Sequence, residues 1–485
     1  MDNNLTLTNT SILSDGLTLR NSNDLKKDLT QQEEMMLNIF QQLNLPTENI
    51  LVEINEREKV LNNIKDILNL LPQETLQQSI YISKFLASVC SGLFDAALNY
   101  LWDETVLQIR KRVSQYDLQY FYELAVTTDR KNKLTSEEDL KKIDDSELIN
   151  GAKEIGLISE IGFRLLDNIK FMRNWASAAH PNQTKISGLQ LAEWLETCIK
   201  EVINLPMSNI TIKIKLLLKN IKVNPLNNSD VEAISSFYSE LTQEKAKNLC
   251  NGFWGIYSNL SSTNQARQNI KLLLPNLWNL IDEETKFDFG LKYGNYKINN
   301  EVEKCRLARE FLQIVNGESY LSDDIKTAEL KVNLKNLQSV HNAYNNFYTE
   351  PQFAKQIKDL VGEGNVPSQI CNYYTLVIVE VYLTNGIGIC WEASDIYELL
   401  INNFNQLQFF EAITAFTNPI ISFKLRHNLC ENQYRKLLDI SKQKVTSPQL
   451  INFIERIQNY NNRLCYLNED KSIVKIIDAL KKIIK

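Results

Sequence analysis

Apolar residues recur at three- and four-residue intervals through most of this chain of 485 residues, and residues that interrupt helices are rare. The chain has only 15 glycines and 10 prolines. This spacing places apolar side chains along one face of an α-helix, and the low glycine and proline content suits a mostly helical chain. Residues 373–382 are apolar and β-branched enough for a strand, but their helical flanks favour a buried helix. The sequence therefore predicts an all-α fold.

Interruptions of the helical pattern divide the chain into three segments. Residues 1–73 are predicted to begin as a weakly ordered lead-in and to continue as a short helical prelude. Residues 74–206 predict a compact bundle of four or so helices, with the charged stretch 127–146 as an exposed excursion. Residues 207–485 alternate helical segments with short breaks. This alternation predicts paired antiparallel helices stacked as an α-solenoid-like array, without a fixed repeat.

Charge and cysteine content narrow the class of protein. The net charge of -6 and the pI near 5.5 argue against a highly basic nucleic-acid coat protein, although a local basic groove remains compatible with them. The eight cysteines are widely scattered and none has metal-ligand spacing. We therefore expect buried reduced thiols and no metal site. The glycines of VGEGNVP and TNGIGIC lack the setting of a phosphate-binding loop, so no nucleotide cofactor is predicted.

The sequence gives no sign of a signal peptide or of a membrane span. The first residues, MDNNLTLTNTS, lack the basic patch and the apolar core of a signal peptide. The longest apolar stretch, residues 374–383, is short and is interrupted by Glu380, so no membrane span is expected. These features predict a cytoplasmic protein without a membrane partner.

The stretch 171–183, FMRNWASAAHPNQ, combines the groups best suited to chemistry. Arg173 and His180 are about two helical turns apart. Pro181 disfavours the helical conformation at His180, which would let the imidazole fold back towards the guanidinium. Asn174 adds an amide beside this pair. A fixed cation, an amide and a titratable ring predict a phosphate-binding site.

The same residues fit a known family pattern. Six residues separate Arg173 from His180, and the first of them is polar. The next predicted helix begins with Ser187 and Gln190 at the spacing of a capping box. This arrangement fits the R-x4-6-H pattern of the HEPN superfamily of helical-bundle ribonucleases and nucleotide-binding modules, which the chain resembles over about residues 75–206.

The resemblance implies a metal-independent endoribonuclease that needs no cofactor. In such cleavage the 2′-hydroxyl attacks the adjacent phosphorus, which requires a base, an acid and positive charge near the phosphorane oxygens. His180 would be the base or the acid because imidazole titrates near neutral pH. Arg173 would hold the phosphate, and Asn174 would orient His180 or bind the scissile phosphate. The implied products are a 2′,3′-cyclic phosphate and a 5′-hydroxyl.

The resemblance also implies partners. HEPN ribonucleases commonly pair two bundles, and this chain has one recognisable Arg/His set, so we predict a homodimer through the bundle. The other two histidines, His341 and His427, are interpreted as structural. The substrate would be RNA, and a protein partner or inhibitor would bind the C-terminal array. Such bundles are frequent in anti-phage defence and toxin-antitoxin systems, which is the cellular role that the resemblance suggests.

Several alternatives stay open on the sequence alone. The chain is alternatively a non-catalytic helical scaffold, or a nucleotide- or protein-binding adaptor. A third hypothesis is a HEPN module silenced by a separately encoded nucleotidyltransferase. Seven further side chains that could contribute to the site also have a structural interpretation. The acids would be solvated, the two cations would form a short basic cluster, and the tryptophans would pack in the core. These residues are Asp95, Asp103, Glu104, Lys111, Arg112, Trp175 and Trp194.

Overall fold

The computed structural model describes residues 22–126, 130, 133–175 and 185–484. Every regular element within these ranges is a helix, which confirms the predicted all-α class. Within the same ranges no helix has both the length and the apolar character needed to cross a membrane. All eight cysteines are free thiols.

The described residues form two compact units. The first comprises the described part of Met1–Ile256 together with Thr263–Asn269, and the second comprises Tyr257–Ser262 with Ile270–Lys485. The first unit therefore extends on both sides of the predicted bundle at residues 74–206.

Twelve α-helices precede residue 260 in the described chain. They are α1 (Ser22–Gln42), α2 (Ile54–Leu68), α3 (Gln73–Gln78), α4 (Ile80–Cys90), α5 (Phe94–Ser114), α6 (Leu118–Ala125), α7 (Asp145–Glu154), α8 (Glu160–Trp175), α9 (Gly188–Cys198), α10 (Asn209–Val223), α11 (Asn228–Tyr238) and α12 (Gln243–Ser258). A 3-10 helix spans Glu137–Lys142, and a π-helical turn at Ile199–Ile203 follows α9 directly.

Twelve more α-helices follow. They are α13 (Asn264–Trp278), α14 (Glu283–Ile298), α15 (Val302–Ile314), α16 (Asp323–His341), α17 (Asn346–Val361), α18 (Cys371–Tyr382), α19 (Trp391–Asn402), α20 (Gln406–Ile413), α21 (Pro419–Lys424), α22 (Asn428–Lys444), α23 (Pro448–Gln458) and α24 (Lys471–Ile484). Short 3-10 helices lie at Gly317–Tyr320, Ala415–Thr417 and Leu464–Glu469.

Helix α5 is the centre of the first unit. It packs against α4, α7, α8 and α9, and its buried side chains lie on several faces rather than on one stripe. A helix that is apolar on most sides must be surrounded by others. Gly92, in the turn between α4 and α5, has a φ of +76°. A Cβ there would lie only 2.5 Å from the buried guanidinium of Arg57, so glycine also serves the close packing of α2.

The charged stretch 127–146 is only partly the exposed excursion that its composition predicts. Residues 127–129 and 131–132 lie outside the described residues. In the remainder, Leu134, Leu140 and Ile143 are all less than a tenth exposed. Three apolar residues spread among many charges are enough to hold this segment against the bundle.

The start of α9 follows the predicted capping box. Ser187 Oγ accepts from the backbone N–H of Gln190 at 3.3 Å, and Gln190 Oε1 accepts from the N–H of Ser187 at 3.0 Å. The next residue, Gly188, touches α2: its N–H donates to Glu56 Oε2 at 2.7 Å. A Cβ at residue 188 would overlap the backbone carbonyl of Glu56. The prelude helix α2 is therefore packed into the bundle.

Helices of the second unit pack in neighbouring pairs. Contacts join α14 with α15, α16 with α17 and α22 with α23, while α17 with α19 and α18 with α20 connect further elements. The stretch interpreted as a buried helix is α18, which confirms that prediction. Val377, Ile378 and Val379 are at most 1% exposed. Burial on all sides overrides the strand preference of these β-branched residues.

Candidate functional site

Helix α8 presents Arg173 from its last turn. Ser159 caps the start of the helix by accepting from the N–H of Gly162 at 2.9 Å. Leu166 and Ile169 are buried and precede Arg173 by seven and four residues, so all three lie on the face of α8 that meets the bundle. A cation in the last turn is also favoured by the helix dipole. Sequence spacing therefore places Arg173 on the bundle-facing side of α8, and in the structure it meets α5 there.

Two amide oxygens hold the Arg173 guanidinium. Its Nε donates to Asn99 Oδ1 on α5 at 3.0 Å, and its Nη1 donates to Asn174 Oδ1 at 3.1 Å. The Arg173 side chain is 27% exposed. The cation is thus oriented by neutral groups and reaches the surface. Asn174, predicted to serve His180 or a phosphate, contacts the arginine in this arrangement.

A carboxylate also faces the guanidinium. Asp145 Oδ2, in the first turn of α7, lies 3.5 Å from Arg173 Nη1. The same oxygen accepts from the indole N–H of the fully buried Trp102 at 2.6 Å. This chain of polar contacts joins α5, α7 and α8. It gives Arg173 a structural role as well as a surface charge.

Asp103, one residue beyond Trp102, belongs to the same electrostatic environment. Burial raises the pKa of the Asp103 carboxyl; the charge of Arg173 opposes this increase, and the charge of Asp145 adds to it. A carboxyl with a raised pKa holds its proton to a higher pH than an ordinary aspartate does. The site therefore combines one cation with two neighbouring acids, Asp103 and Asp145.

An aromatic pair lies beside the arginine on α8. The rings of Phe171 and Trp175 stack with centroids 6.1 Å apart and planes inclined by 14°. Phe171 is 58% exposed and Trp175 is 37% exposed. Trp194, by contrast, is buried in α9. Of the two tryptophans considered from the sequence, only Trp175 is available at the surface of the first unit.

His180 lies outside the described residues, as do all of residues 176–184. The distance between His180 and Arg173 therefore stays a prediction. Among the three predicted catalytic residues, Arg173 and Asn174 are in direct contact.

Other candidate residues of the first unit are used in packing. Glu104 is 1% exposed, and its Oε2 accepts from Ser79 Oγ at 2.6 Å. Arg112 donates to the backbone carbonyls of Val202 and Leu205, and burial lowers its pKa. These contacts tie α5 to the end of the π-helical turn. Glu104 is therefore a buried structural residue and not the solvated acid of the sequence interpretation, and the contacts of Arg112 favour a structural role.

The two remaining histidines lie in the second unit. His427 is the N-cap residue of α22. His341 is 1% exposed, with Nδ1 at 2.9 Å from Glu350 Oε1 and Nε2 at 3.0 Å from Lys424 Nζ. The imidazole of His341 thus lies between a buried lysine and a buried carboxylate and contacts both.

Further hydrogen bonds complete this buried cluster. Lys424 Nζ also donates to the Thr384 carbonyl at 2.9 Å, and Tyr397 donates to Glu350 Oε2 at 2.9 Å. Burial opposes ionisation of Glu350, but hydrogen bonds, led by that from His341, hold its pKa below the usual value. Burial lowers the pKa of Lys424. The cluster fits a structural role for His341.

Sequence reasoning missed two partners of Arg173, Asn99 and Asp145, and missed Trp102, which donates to Asp145. Asn99 and Trp102 lie on α5, and Asp145 begins α7. Arg173 and Asn99 are 74 residues apart in the sequence. No local sequence pattern therefore indicates their contact. Helical spacing gave one available signal, because Asn99 and Asp103 are four residues apart and share a face of α5.

We compared the chain with protein-family models, with curated proteins and with solved structures, and none of the three comparisons gave a match.

Proposed function

We propose that the chain is a metal-independent endoribonuclease of the HEPN type that gives 2′,3′-cyclic phosphate and 5′-hydroxyl ends. The observation that carries the proposal is the guanidinium of Arg173. Asn99 and Asn174 orient it at the surface, on the last described turn before the segment that contains His180. An oriented, permanently charged fork is suited to a phosphate.

Each residue has a defined task in this proposal. Arg173 binds the scissile phosphate and stabilises the charge that develops on its oxygens. His180 transfers a proton as base or acid, and Asn174 fixes the guanidinium. Substrate must compete with Asp145 for Arg173, because the two side chains lie 3.5 Å apart. A partly exposed pair of this kind is weak enough to be exchanged.

The predicted homodimer is supported by an exposed apolar stripe on α8. Ile161 is 71% exposed, Leu165 is 41% exposed, and Phe171 and Trp175 continue the same surface. Apolar side chains at this spacing on an outer face favour a protein partner. In our proposal that partner is a second copy of the bundle, which would supply a second set of Arg173 and His180.

The second unit has the proposed role of a sensing or docking region for a protein partner or inhibitor. Its pairwise helix packing supports the α-solenoid-like array. The proposed setting in anti-phage defence or a toxin-antitoxin system comes from the HEPN resemblance alone.

A non-catalytic scaffold is the second candidate, and one observation favours it. The contacts from Trp102 through Asp145 to Arg173 join three helices. Such a network is what a purely structural arginine would show. In that case the bundle binds a nucleotide or a protein, and Arg173 only stabilises the packing of α8.

Incubation of purified protein with total RNA in excess EDTA separates the two candidates. We expect the wild-type chain to cleave RNA and to leave cyclic phosphate ends, while Arg173→Ala and His180→Ala are each reduced by at least about a hundredfold. Arg164→Ala is the matched control, because Arg164 is an exposed arginine on the same helix that pairs with Glu160.

Circular dichroism of each variant shows whether the fold is retained. Cleavage by folded His180→Ala at the wild-type rate would reject the ribonuclease proposal. Absence of cleavage by the wild-type chain, with no inhibitor bound, would favour the scaffold.

A further inference from the structure

Helices α10 and α11 of the first unit leave an apolar groove between them. The open space of the groove is about 1080 Å³. Its apolar lining consists of Leu216, Leu217, Val223, Ala233, Ile234 and Phe237. All of these residues belong to the two helices, so the groove is formed within one helical pair.

This pair is incompletely covered. Tyr238 is the one buried residue of α11, whereas α10 buries five residues on its inner face. On the outer face of α10, Ile212, Leu216 and Val223 are 40%, 59% and 66% exposed. Their spacing of four and seven residues aligns them along the helix. A helical pair with this much exposed apolar surface lacks a third packing element.

The angle between the two helices is fixed by a buried amide. Asn269 is 1% exposed, and its Nδ2 donates to the carbonyls of Ile221 and Asn224 at 2.8 and 2.7 Å. Its Oδ1 accepts from the N–H of Leu226 at 3.0 Å. These bonds hold the turn from α10 to α11. The groove is therefore preformed, which reduces the ordering cost of binding.

The α10 side of the groove is rich in lysine. Helix α10 has four lysines and no acidic residue, in a chain whose net charge is -6. Lys213 and Lys219 belong to the lining, which contains no carboxylate. Glu240 pairs with Lys213 at 2.6 Å, and Lys219 is exposed at the middle of the groove. An occupant with acidic flanks is complementary to this edge.

We propose that this groove binds an amphipathic α-helix of a partner protein, with apolar anchors on one face and acidic residues beside them. The apolar anchors would pack on Leu216, Val223 and Phe237, in the manner of helix-in-groove recognition. The acidic residues would face Lys213 and Lys219. The inference goes beyond the ribonuclease proposal and does not depend on the chemistry of Arg173.

A synthetic helix tests the groove on the full chain. The probe is a fluorescein-labelled peptide of about 18 residues, long enough to form a helix, with leucines at helical spacing and glutamates beside them. A scrambled peptide of the same composition is the control. We expect fluorescence anisotropy to show binding of the ordered peptide only, with protection of residues 209–238 from hydrogen exchange.

Point variants locate the interaction. Leu216→Asp should weaken peptide binding by at least about tenfold, because an apolar contact of the groove is lost and a charge of the wrong sign is introduced. Leu291→Asp is the matched control, since Leu291 is 58% exposed in the second unit. The Leu291→Asp variant should bind the peptide with unchanged affinity. Arg173→Ala should also bind the peptide with unchanged affinity. The peptide test is therefore independent of the ribonuclease proposal.

Charge reversal provides a variant with little risk to folding. Lys219→Glu should weaken binding about two- to fivefold, and added salt should reduce the wild-type affinity. Lys215→Glu, on the same helix but outside the lining, should have a smaller effect.

Four results would each overturn the proposal. The ordered and scrambled peptides bind equally, or Leu216→Asp binds like the wild type. Vesicles containing phosphatidylserine bind α10 in place of the peptide, and Leu216→Asp abolishes that binding. Light scattering shows a wild-type dimer that Leu216→Asp converts to a monomer, which would make a second copy the occupant.

Discussion

Arg173 has amide neighbours that orient it and a carboxylate neighbour, Asp145, that competes with any anion. Asp145→Asn removes the negative charge, while the amide oxygen can still accept from the Trp102 indole. If Arg173 binds phosphate, we expect this variant to bind single-stranded RNA several-fold more tightly. The loss of stability should be at most about 1 kcal/mol, because the pair is partly exposed. Filter binding and thermal melting measure the two quantities.

Asp144→Asn is the control for this charge change. Asp144 caps α7 by accepting from the N–H of Glu147 at 2.9 Å, and asparagine caps equally well. RNA affinity that rises equally in both variants would indicate a general effect of charge. RNA affinity that is unchanged in Asp145→Asn would argue that Arg173 does not receive the phosphate.

The buried cluster of the second unit leads to a prediction about pH. The folded-state pKa of Glu350 is lowered, so its ionised form contributes stability at pH values above its unfolded pKa. This contribution is lost as the pH falls through the lower, folded pKa. We expect Glu350→Gln to destabilise the second unit by about 1 to 3 kcal/mol at neutral pH, because the buried carboxylate that accepts from His341, Asn346 and Tyr397 is lost.

The acid dependence of unfolding checks this assignment. Above about pH 5, where an unfolded glutamate is largely ionised, the wild-type second unit should keep its advantage over Glu350→Gln, and the difference should shrink as the pH falls further. A double variant with Lys424→Met should lose less stability than the two single variants together. Additive losses would contradict a coupled pair.

Asparagine occupies several turn positions that require a positive φ. Among described residues other than glycine, a positive φ occurs at Asn44, Asn49, Asn300, Asn316 and Thr384. Asparagine tolerates the left-handed conformation better than most residues. It replaces glycine at several turns of this glycine-poor chain. The composition shows that glycine is scarce. It does not show which other residues adopt the left-handed conformation in its place; the backbone angles do.

At the level of helices, the exposed stripe of α8 is tested by a charge. Ile161→Asp should convert a dimer to a monomer in light scattering, because the substitution places a carboxylate in the apolar contact. Ile298→Asp is the control, since Ile298 is 78% exposed at the end of α14. A wild-type chain that is monomeric and active would reject the homodimer.

The contact between α9 and α2 depends on the missing side chain of Gly188. Gly188→Ala should destabilise the first unit by about 1 to 3 kcal/mol, because the new methyl group meets a backbone carbonyl that cannot rotate away. Gly294→Ala in α14 is the matched variant: its methyl group would lie 3.7 Å from Ile325 Cδ1. That variant should be neutral or slightly stabilising. Equal losses in thermal melting would contradict the steric argument.

Helix type was predictable from the sequence, and helix boundaries were less so. Residues 74–126 have helical apolar spacing and form four helices, α3 to α6. Their apolar pattern continues through the breaks because each short helix faces the same core. The capping box at Ser187 was local and was predicted correctly. Long-range contacts such as that between Arg173 and Asn99 left no local trace.

The division into two units has a thermodynamic consequence. Calorimetry of the whole chain should resolve two unfolding transitions, since multi-unit chains depart from two-state behaviour. Gly188→Ala should lower the temperature of one transition, and Glu350→Gln should lower the other. A single transition that both variants shift equally would mean that the units unfold together.

The amide of Asn269 also sets an order of events during synthesis. Its bond to Leu226 closes 43 residues of chain. At ribosomal rates of about 5 to 20 residues per second, roughly 2 to 9 seconds pass between these two residues. During that interval α10 and α11 have emerged without the bond that fixes their angle. Their apolar surfaces are then a target for chaperones before they become a target for a partner.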